Sequence, residues 1–439
     1  MSGNVKKGMV VLLVAACAAI AFGAAPRELA EAKEVNVRKG VGNFLSKLKA
    51  GKPVTVAYLG GSITAMGGWR NMTTDWFRKA NPKANVTEVH AAIGGTGSGL
   101  GVFRVGHDAL DKNPDLLFIE FATNDSGASD KAIWRNFDGI VQQAWARNPK
   151  MDIVFAYTIT VQMMKEYGEG KMNAAASAME KLADHYGIPS VCFGPRVVAE
   201  VKAGKLVMSM GELASAVPAE TPDRDRAIEA ELKKNGQTLF AKDGVHPAKH
   251  GHELYLSSVV AAFKAMRSIP PADHGKFVGK PFFDGTLAAA KMVSVDSSMT
   301  VGDGWTKLAA DVPEQKSFSE RGGQFYRAEK PGDRLTFRFR GKKCMVYDLL
   351  APKGANVRVT VDGKVRAVCP RFDGYCHCTR LATLNVFDGA DGEHSVELEV
   401  LAEQPERKLL KKEIDTACEK YDGTWFQPCQ IMLVGDIVR

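Results

Sequence analysis

The strongest constraint on this chain is a regular alternation of apolar runs and amphipathic stretches between about residues 53 and 265. Four apolar runs have the length of a strand and little polar interruption, as expected for strands covered on both faces: "VTVAYLG", "LLFIEFA", "DIVFAYTI" and "SVCFGP". The stretches between them have helical periodicity, and two of them, "NAAASAMEKLADHYG" and "DRDRAIEAELKKNG", end on glycine as helices often do. This alternation predicts a parallel α/β sandwich.

The periodicity changes to two after "SIPPADHGKFVGKP", residues 268–281, whose proline and glycine content indicates a linker. Beyond it "RLTFRFRG" alternates, and "VRVTVDGKVRAV" places an Asp-Gly pair between two alternating runs, which predicts a hairpin. We therefore predict an α/β domain over residues 33–268 and an all-β accessory domain, a jelly roll or β-sandwich, over residues 282–439. One helix is predicted within that domain, over residues 406–421.

The N-terminus has the pattern of an export signal. Lys6 and Lys7 precede the apolar stretch "MVVLLVAACAAIAFGAA", which is shorter than the roughly 20 residues of a membrane span and ends in small side chains. We predict a signal peptide over residues 1–23 and a secreted or periplasmic protein. "VAAC" also resembles the lipobox of bacterial lipoproteins, which would make Cys17 a lipid anchor. No other apolar run is long enough to predict a membrane span.

Charge and composition argue against some classes of partner. The formal net charge of +8 falls to +6 when Lys6 and Lys7 leave with the signal peptide. The basic residues are scattered rather than gathered in runs, so we predict no nucleic-acid partner. A content of 45% hydrophobic and 25% charged residues is that of a globular protein with ample core material.

Cysteine is concentrated in the last hundred residues. In an oxidising compartment such a cluster predicts disulfide bonds, although their pairing stays open. The cluster "CPRFDGYCHC" could instead hold a metal ion, but its spacing matches no standard zinc site, so we expect disulfides and no metal. The cysteines concerned are Cys344, Cys369, Cys376, Cys378, Cys418 and Cys429.

The first apolar run ends at "GGSIT", so Ser62 would stand at the carboxyl end of a parallel strand. Ligand sites in open α/β sheets gather at these ends. The glycines before Ser62 let the backbone turn tightly, and a helix beginning there would favour negative charge at its amide groups. A serine nucleophile also needs a base, and the oxyanion that it forms needs hydrogen-bond donors.

Three later segments offer these groups. "KDGVHPAKHGHELY" holds Asp243 and His246 three residues apart, so a carboxylate could orient an imidazole. "HAAIGGTGSGLG" supplies the bare backbone of Gly94 and Gly95, and "FIEFATNDSG" supplies the side-chain amide of Asn124. Each segment alone could equally be an ordinary loop or turn.

Taken together and in order, "GGSIT", "IGGTG", "TND" and "DGVH" resemble the blocks of the SGNH, or GDSL-type, hydrolase superfamily over roughly residues 53–265. The resemblance implies a flavodoxin-like three-layer sandwich and ester hydrolysis that needs no cofactor. By motif it implies five site residues: Ser62 as nucleophile and amide donor, Gly95 as second amide donor, Asn124 as side-chain donor, His246 as base and Asp243 as the carboxylate that holds the base.

The sequence departs from the family pattern near the site. Gly61 stands where the family has an acidic residue before the serine, which removes a carboxylate but no catalytic group. His90 stands where a second-block asparagine is usual, and we expect it to change loop support rather than chemistry. Glu120, inside an apolar run, is predicted to be a buried structural carboxylate rather than a second catalytic acid.

The resemblance implies an acetylated polysaccharide or oligosaccharide as substrate, because exported members with an accessory β-sandwich look like carbohydrate esterases. The C-terminal half resembles galactose-binding-like jelly rolls. Trp69 could form a sugar-stacking wall or pack on the core, and Arg70 could meet an acidic sugar or be solvated. Two other functions stay open: a short-chain or lipase-like esterase acting on other esters, and a non-catalytic glycan-binding protein that retains the fold.

Overall fold

The computed structural model describes residues 28–410 and 418–438. The signal peptide predicted over residues 1–23, the alternative anchor Cys17 and the middle of the helix predicted over residues 406–421 lie outside the described residues. Within the described ranges, no helix is long and apolar enough to cross a membrane. No cluster of three or more His, Cys, Asp or Glu side chains there is arranged to hold a metal ion.

Short strands and helices alternate through the amino-terminal half. The strands are β1 (Val35–Asn36), β2 (Val54–Gly60), β3 (Val86–Ala92), β4 (Leu116–Glu120), β5 (Asp152–Tyr157), β6 (Ser190–Cys192), β7 (Leu206–Val207) and β8 (Thr238–Leu239). The helices are α1 (Gly42–Lys49), α2 (Ser62–Ala65), α3 (Trp69–Ala80), α4 (Ser98–Asp108), α5 (Asp130–Arg147), α6 (Met164–Gly168), α7 (Ala174–Tyr186), α8 (Gly194–Lys202), α9 (Arg224–Lys234) and α10 (Lys249–Met266).

The main sheet of this half has the order β1-β6-β5-β4-β2-β3, with β2 to β6 parallel and β1 antiparallel. The parallel strands alone follow the doubly wound order 2-1-3-4-5 of flavodoxin-like folds. Every residue of β4 and β5 is buried, as the continuous apolar runs predicted. Gly60 at the end of β2 pairs with Ala92 of β3 and with Glu120 of β4, so three strand ends lie side by side.

Helices cover both faces of this sheet. On one face α3 and α10 pack together, with 4.9 Å between the ring centroids of Phe77 and Phe263. On the other face α5 lies over the sheet and places Phe137 against Phe155 of β5, with 5.3 Å between ring centroids. The three-layer α/β sandwich predicted from the sequence is confirmed.

Strands dominate the carboxyl-terminal half. Its elements are β9 (Ala290–Ser294), β10 (Thr300–Val301), β11 (Trp305–Lys307), α11 (Pro313–Gly322), β12 (Tyr326–Ala328), β13 (Arg334–Leu350), β14 (Asn356–Val361), β15 (Lys364–Pro370), β16 (Arg380–Val400) and β17 (Pro428–Val438). The predicted boundaries at residues 268 and 282 fall between α10 and β9, and they stay a prediction.

The main sheet of the carboxyl-terminal half is antiparallel in the order β15-β14-β16-β13-β17-β9, which confirms the all-β class. Asp362 and Gly363 have φ angles of 53° and 69°, so they form the predicted hairpin turn between β14 and β15. The pairing of β13 shifts register between Gly341 and Lys343, and such bulges bend strands. The sheet curves around a core of its own, which includes Phe339, Val346 and Leu433.

The opposite face of this sheet packs against the α/β half. Along β13, Cys344 and Val346 point into the sheet's own core, whereas Met345 and Tyr347 belong to the core of the α/β half. Phe325, fully buried just before β12, joins the same shared core. The two halves therefore bury one continuous apolar interface.

The segment predicted as a linker is docked on the α/β half rather than extended between the two halves. The ring of His274 stacks on Trp145, with 4.7 Å between centroids, and its Nε2 lies 3.2 Å from Asp152 Oδ1. Phe277 stacks on the same Trp145 ring. Proline and glycine content located the change of architecture, but it did not reveal these contacts.

The predicted disulfides are not confirmed, since the following cysteines in the described chain carry free thiols: Cys344, Cys369, Cys376, Cys378 and Cys429. Cys344 and Cys429 lie in the two different cores on opposite faces of one sheet, so their side chains point apart. Cys376 belongs to a separate small cluster with Phe372 and Tyr421. The number of cysteines suggested pairing, but it carries no information on side-chain direction.

Because the core is shared, we predict that both halves unfold in one transition. Phe325→Ala should lower the free energy of unfolding by about 3–5 kcal/mol through the cavity that it leaves. In calorimetry and urea titration, the single unfolding transition of both halves should shift to lower temperature and lower urea concentration. Leu409→Ala is the control, because that side chain is 51% exposed. Two separate transitions, only one of them shifted by Phe325→Ala, would contradict the shared core.

Candidate active site

Three side chains form a continuous hydrogen-bonded chain at the carboxyl edge of the parallel sheet. Ser62, the first residue of α2, places its Oγ 2.8 Å from His246 Nε2. His246 Nδ1 lies 2.7 Å from Asp243 Oδ2. The other carboxylate oxygen of Asp243 accepts hydrogen bonds from the backbone amides of Val245 and His246, at 2.9 and 2.8 Å. The structure thus brings together residues that lie far apart in sequence, as the motifs predicted.

Hydrogen bonds stabilise the negative charge of Asp243. Burial raises its pKa, but the hydrogen bonds from the His246 ring and from the two amides outweigh this effect and lower the pKa to about 2. An ionised Asp243 accepts from Nδ1–H, which leaves the Nε2 lone pair facing the Ser62 hydroxyl. His246 and Asp243 remain 42% and 54% exposed, so the site is open to a ligand.

The loop that carries this pair has a defined shape. The hydrogen bonds from Val245 and His246 to the Asp243 side chain form the turn that aspartate favours two and three residues ahead. Gly244 has a φ angle of +76°, and a Cβ there would lie 2.7 Å from Val161 Cγ1. The amide of Val161 donates to the carbonyl of Gly244 at 2.8 Å. Asp243 and His246 are thus three residues apart because they belong to one turn, and the hydrogen bond from Val161 holds this turn in place.

The candidate oxyanion donors approach Ser62 from β3 and β4. Asn124 lies directly against Gly61, since a Cβ at Gly61 would be 1.9 Å from Asn124 Oδ1. The Cβ position of Gly94 is 3.7 Å from Ser62 Cβ. Gly95 follows in the same loop with a φ angle of +72°, and a Cβ there would meet only open space. Glycine at position 61 is therefore what lets Asn124 approach the nucleophile.

A buried carboxylate fastens the turn that carries Ser62. Glu120 is fully buried, as predicted, and accepts hydrogen bonds from the hydroxyls of Thr64 and Thr158, at 2.8 and 2.9 Å. The amide of Gly61 also donates to it. Burial raises the pKa of Glu120, and these donors only partly offset that effect. Glu120 acts on the site by holding the turn, and it does not contact Ser62 in this network.

Two further polar residues that hold the site were missed in the sequence. Asp125, buried beside Asn124, accepts a hydrogen bond from the Ser98 amide at 3.1 Å and so anchors the start of α4. Arg104, also buried, donates to the carbonyls of Ala91 and Gly60 at the ends of β3 and β2. "TND" suggested only turn chemistry for Asp125, and nothing in the helical pattern marked Arg104 as buried.

The structure decides between the alternatives left open for Trp69 and Arg70, and it places His90. Trp69 is fully buried among aromatic rings of β2 and β4, so the core alternative is confirmed and the sugar-stacking wall is wrong. Arg70 neither faces a sugar nor is solvated: its Nε donates to the Thr64 carbonyl at 3.0 Å, and its guanidinium pairs with Glu88. His90 lies within β3 rather than in a loop, and burial lowers its pKa to about 4.

Known proteins resemble this chain in sequence and in fold. Residues 58–254 match the model of the GDSL-like Lipase/Acylhydrolase family. A search of curated protein sequences found no match.

Solved structures resemble the chain over both halves. A crystal structure of a two-domain esterase (CEX) active on acetylated mannans, co-crystallised with mannopentaose, superposes with a TM-score of 0.65 and 20% identity, over 90% of this chain and 94% of that one. A second crystal structure of a two-domain esterase (CEX) active on acetylated mannans superposes with a TM-score of 0.67 and 19% identity. The superposition covers 93% of this chain and 98% of that one. At such identities the likeness shows a common two-domain fold. The chain is a carboxylic ester hydrolase whose residues 58–254 match the GDSL-like lipase/acylhydrolase family and whose second domain is all-β.

Proposed function

We propose that this esterase removes O-acetyl groups from carbohydrates by a Ser-His-Asp mechanism. The observation that carries the proposal is the hydrogen-bonded chain from Ser62 Oγ through His246 to Asp243, at 2.8 and 2.7 Å. The fold shared with an esterase active on acetylated mannans supports the carbohydrate class. Export, and with it contact with extracellular glycans, rests on the sequence of residues 1–23.

In the proposed mechanism, the hydrogen bond between Ser62 Oγ and His246 Nε2 is the path of the first proton transfer. His246 Nε2 takes the proton from Ser62 Oγ while this oxygen attacks the ester carbonyl carbon, and Asp243 stabilises the imidazolium that forms. His246 then protonates the leaving sugar oxygen, and the acetyl group stays on Ser62. Water, deprotonated by the same Nε2, then attacks the carbonyl carbon of the acetyl group. The bond from this carbon to Ser62 Oγ breaks, Oγ takes the proton back from Nε2, and acetate leaves.

The oxyanion needs donors aimed at the former carbonyl oxygen. We assign these to the backbone amides of Ser62 and Gly95 and to the side-chain amide of Asn124. The contact between Asn124 and Gly61 and the proximity of Gly94 to Ser62 support this assignment. The hydrogen bond from the Gly61 amide to Glu120 supports a fixed direction for the following amide of Ser62.

An open groove of about 500 Å³ is lined by residues that lie close in sequence to Ser62 and His246. Its wall contains Met66, four residues after Ser62, and Pro247, which directly follows His246. The rim also carries Asn71, Asp75 and Lys249. A volume of this size suits a small ligand.

Ser62→Ala should lower acetate release from acetylated mannan and from p-nitrophenyl acetate by a factor on the order of 10⁴–10⁶. Ser257→Ala, an exposed serine on α10, is the matched control and should retain activity. Equal activity of the wild type and Ser62→Ala would overturn the mechanism. A preference for long-chain esters would favour the lipase-like alternative, and mannan binding without any hydrolysis would favour the binding protein.

Gly61→Ala should mimic the loss of Asn124, because the new methyl group would occupy the position of Asn124 Oδ1. We expect both Gly61→Ala and Asn124→Ala to lower kcat by about 10²–10³. The double variant should be no worse than the poorer single variant, since both changes remove the same donor. Multiplicative losses in steady-state kinetics would show that Gly61 acts separately from Asn124.

Asp243→Asn should lower kcat by a factor on the order of 10²–10⁴, because an amide does not stabilise the imidazolium.

The folded-state pKa of Asp243, about 2, lies below the roughly 3.9 of an unfolded aspartate. The hydrogen bonds to Asp243 therefore stabilise the fold above about pH 4 and lose this effect as the pH falls towards 2. The stability difference between wild type and Asp243→Asn, followed by urea unfolding, should therefore shrink over that range. A difference that grows towards pH 2 would contradict the assignment.

A further inference from the structure

A groove lies between the two halves of the molecule, on the side of α5. It consists of two adjoining cavities of about 450 and 200 Å³ that share Arg135, Leu287 and Lys343 in their walls. We call this the interdomain groove, and its remaining polar wall includes Lys131, Lys342 and Asp388. The larger cavity lies within the size range of ligand pockets, about 300–1,000 Å³.

The interdomain groove is rich in positive charge that the described protein does not neutralise. Lys343 pairs with Asp388, the one carboxylate in the wall. Lys131, Arg135 and Lys342 form no ion pair with any described residue. The Nε atom of Arg135 is buried and has no hydrogen-bond partner in the described chain. Burial of an unpaired donor is unfavourable, so the groove lacks an anionic acceptor at this point.

The wall of the interdomain groove includes residues that follow two of the candidate oxyanion donors closely in sequence. Gly99, in its wall, follows Gly95 by four residues, and Ser129, also in its wall, follows Asn124 by five. Asn136 of the wall donates to the Ser98 hydroxyl at 3.1 Å, and the amide of Ser98 is held by the residue next to Asn124. Two hydrogen bonds thus connect the wall of the groove to the residue that follows Asn124.

We propose that the interdomain groove binds an anionic group of a glycan, a carboxylate or a sulfate, so that the acetylated substrate is an acidic glycan. A guanidinium binds the oxygens of either group through paired hydrogen bonds, and lysines add point charges around it. The basic residues line a short recess between two domains, with Lys131 and Lys342 exposed, rather than a long basic stripe, which favours a glycan over a nucleic acid. The assignment of the glycan as substrate rests on the proposed function, whereas binding of the anion does not.

Binding is measured with full-length Ser62→Ala, so that turnover does not enter. Calorimetric titrations use polygalacturonate for carboxylates, dextran sulfate for sulfates, and unacetylated mannan as the neutral glycan. We expect at least one polyanion to bind at least about tenfold more tightly than mannan and to weaken as salt is raised. The preferred polyanion identifies the anionic group.

The groove residues are tested by removing three charges at once, as Lys131→Gln, Arg135→Gln and Lys342→Gln. This variant should bind the preferred polyanion at least about tenfold more weakly. The matched control removes three exposed charges at the amino-terminal edge of the parallel sheet, as Lys49→Gln, Lys52→Gln and Lys83→Gln, and should bind normally.

Three outcomes would overturn the proposal. In the first, unacetylated mannan binds as tightly as both polyanions do. In the second, the groove variant and the control variant bind the preferred polyanion equally tightly. In the third, double-stranded DNA binds as tightly as the preferred polyanion. Because no turnover is involved, any of them would leave ester hydrolysis by Ser62 standing. Conversely, a hydrolysis experiment that fails leaves the binding result intact.

Discussion

The site depends on the hydrogen bonds that Glu120 accepts at the carboxyl end of β4. A fully buried carboxylate is unfavourable unless its oxygens find donors, and two of its donors, the Thr64 hydroxyl and the Gly61 amide, belong to the turn that carries Ser62. Moving this turn would leave the buried Glu120 with the Thr158 hydroxyl as its remaining donor among those named. The same turn brings Gly61 against Asn124, so one buried interaction sets the nucleophile and a candidate oxyanion donor together.

The remaining parts of the site follow from the parallel sheet. The ends of β2, β3 and β4 lie side by side, and Arg104 donates to the carbonyls of Gly60 and Ala91 at the ends of β2 and β3. His246 arrives on an exposed loop whose shape is maintained by Asp243 and by the amide of Val161. The second domain is not a tethered module, because it shares a core with the first. This shared core also fixes the walls of the interdomain groove.

Periodicity predicted the layers and the strand ends, because these features depend on local pattern and strand order. The motifs pointed to Ser62, His246 and Asp243, whose side chains the structure brings within hydrogen-bond distance. They could not predict burial that depends on distant elements. Arg70 looked like a surface residue, yet it lies buried against Glu88. Cys344 and Cys429 looked ready to pair, yet the alternation of two neighbouring strands points them into different cores. Glu120 was placed inside correctly, but its donors could be found only in the folded structure.

The most direct test of the account is to find which atom becomes covalently modified. The wild-type protein is treated with diisopropyl fluorophosphate, and residual acetate release and the modified residue are measured together, the latter by peptide mass spectrometry. The account predicts a single adduct per chain, on Ser62, that forms in proportion to the loss of activity. Full loss of activity with an unmodified Ser62, or an adduct on Ser62 that leaves acetate release unchanged, would contradict it.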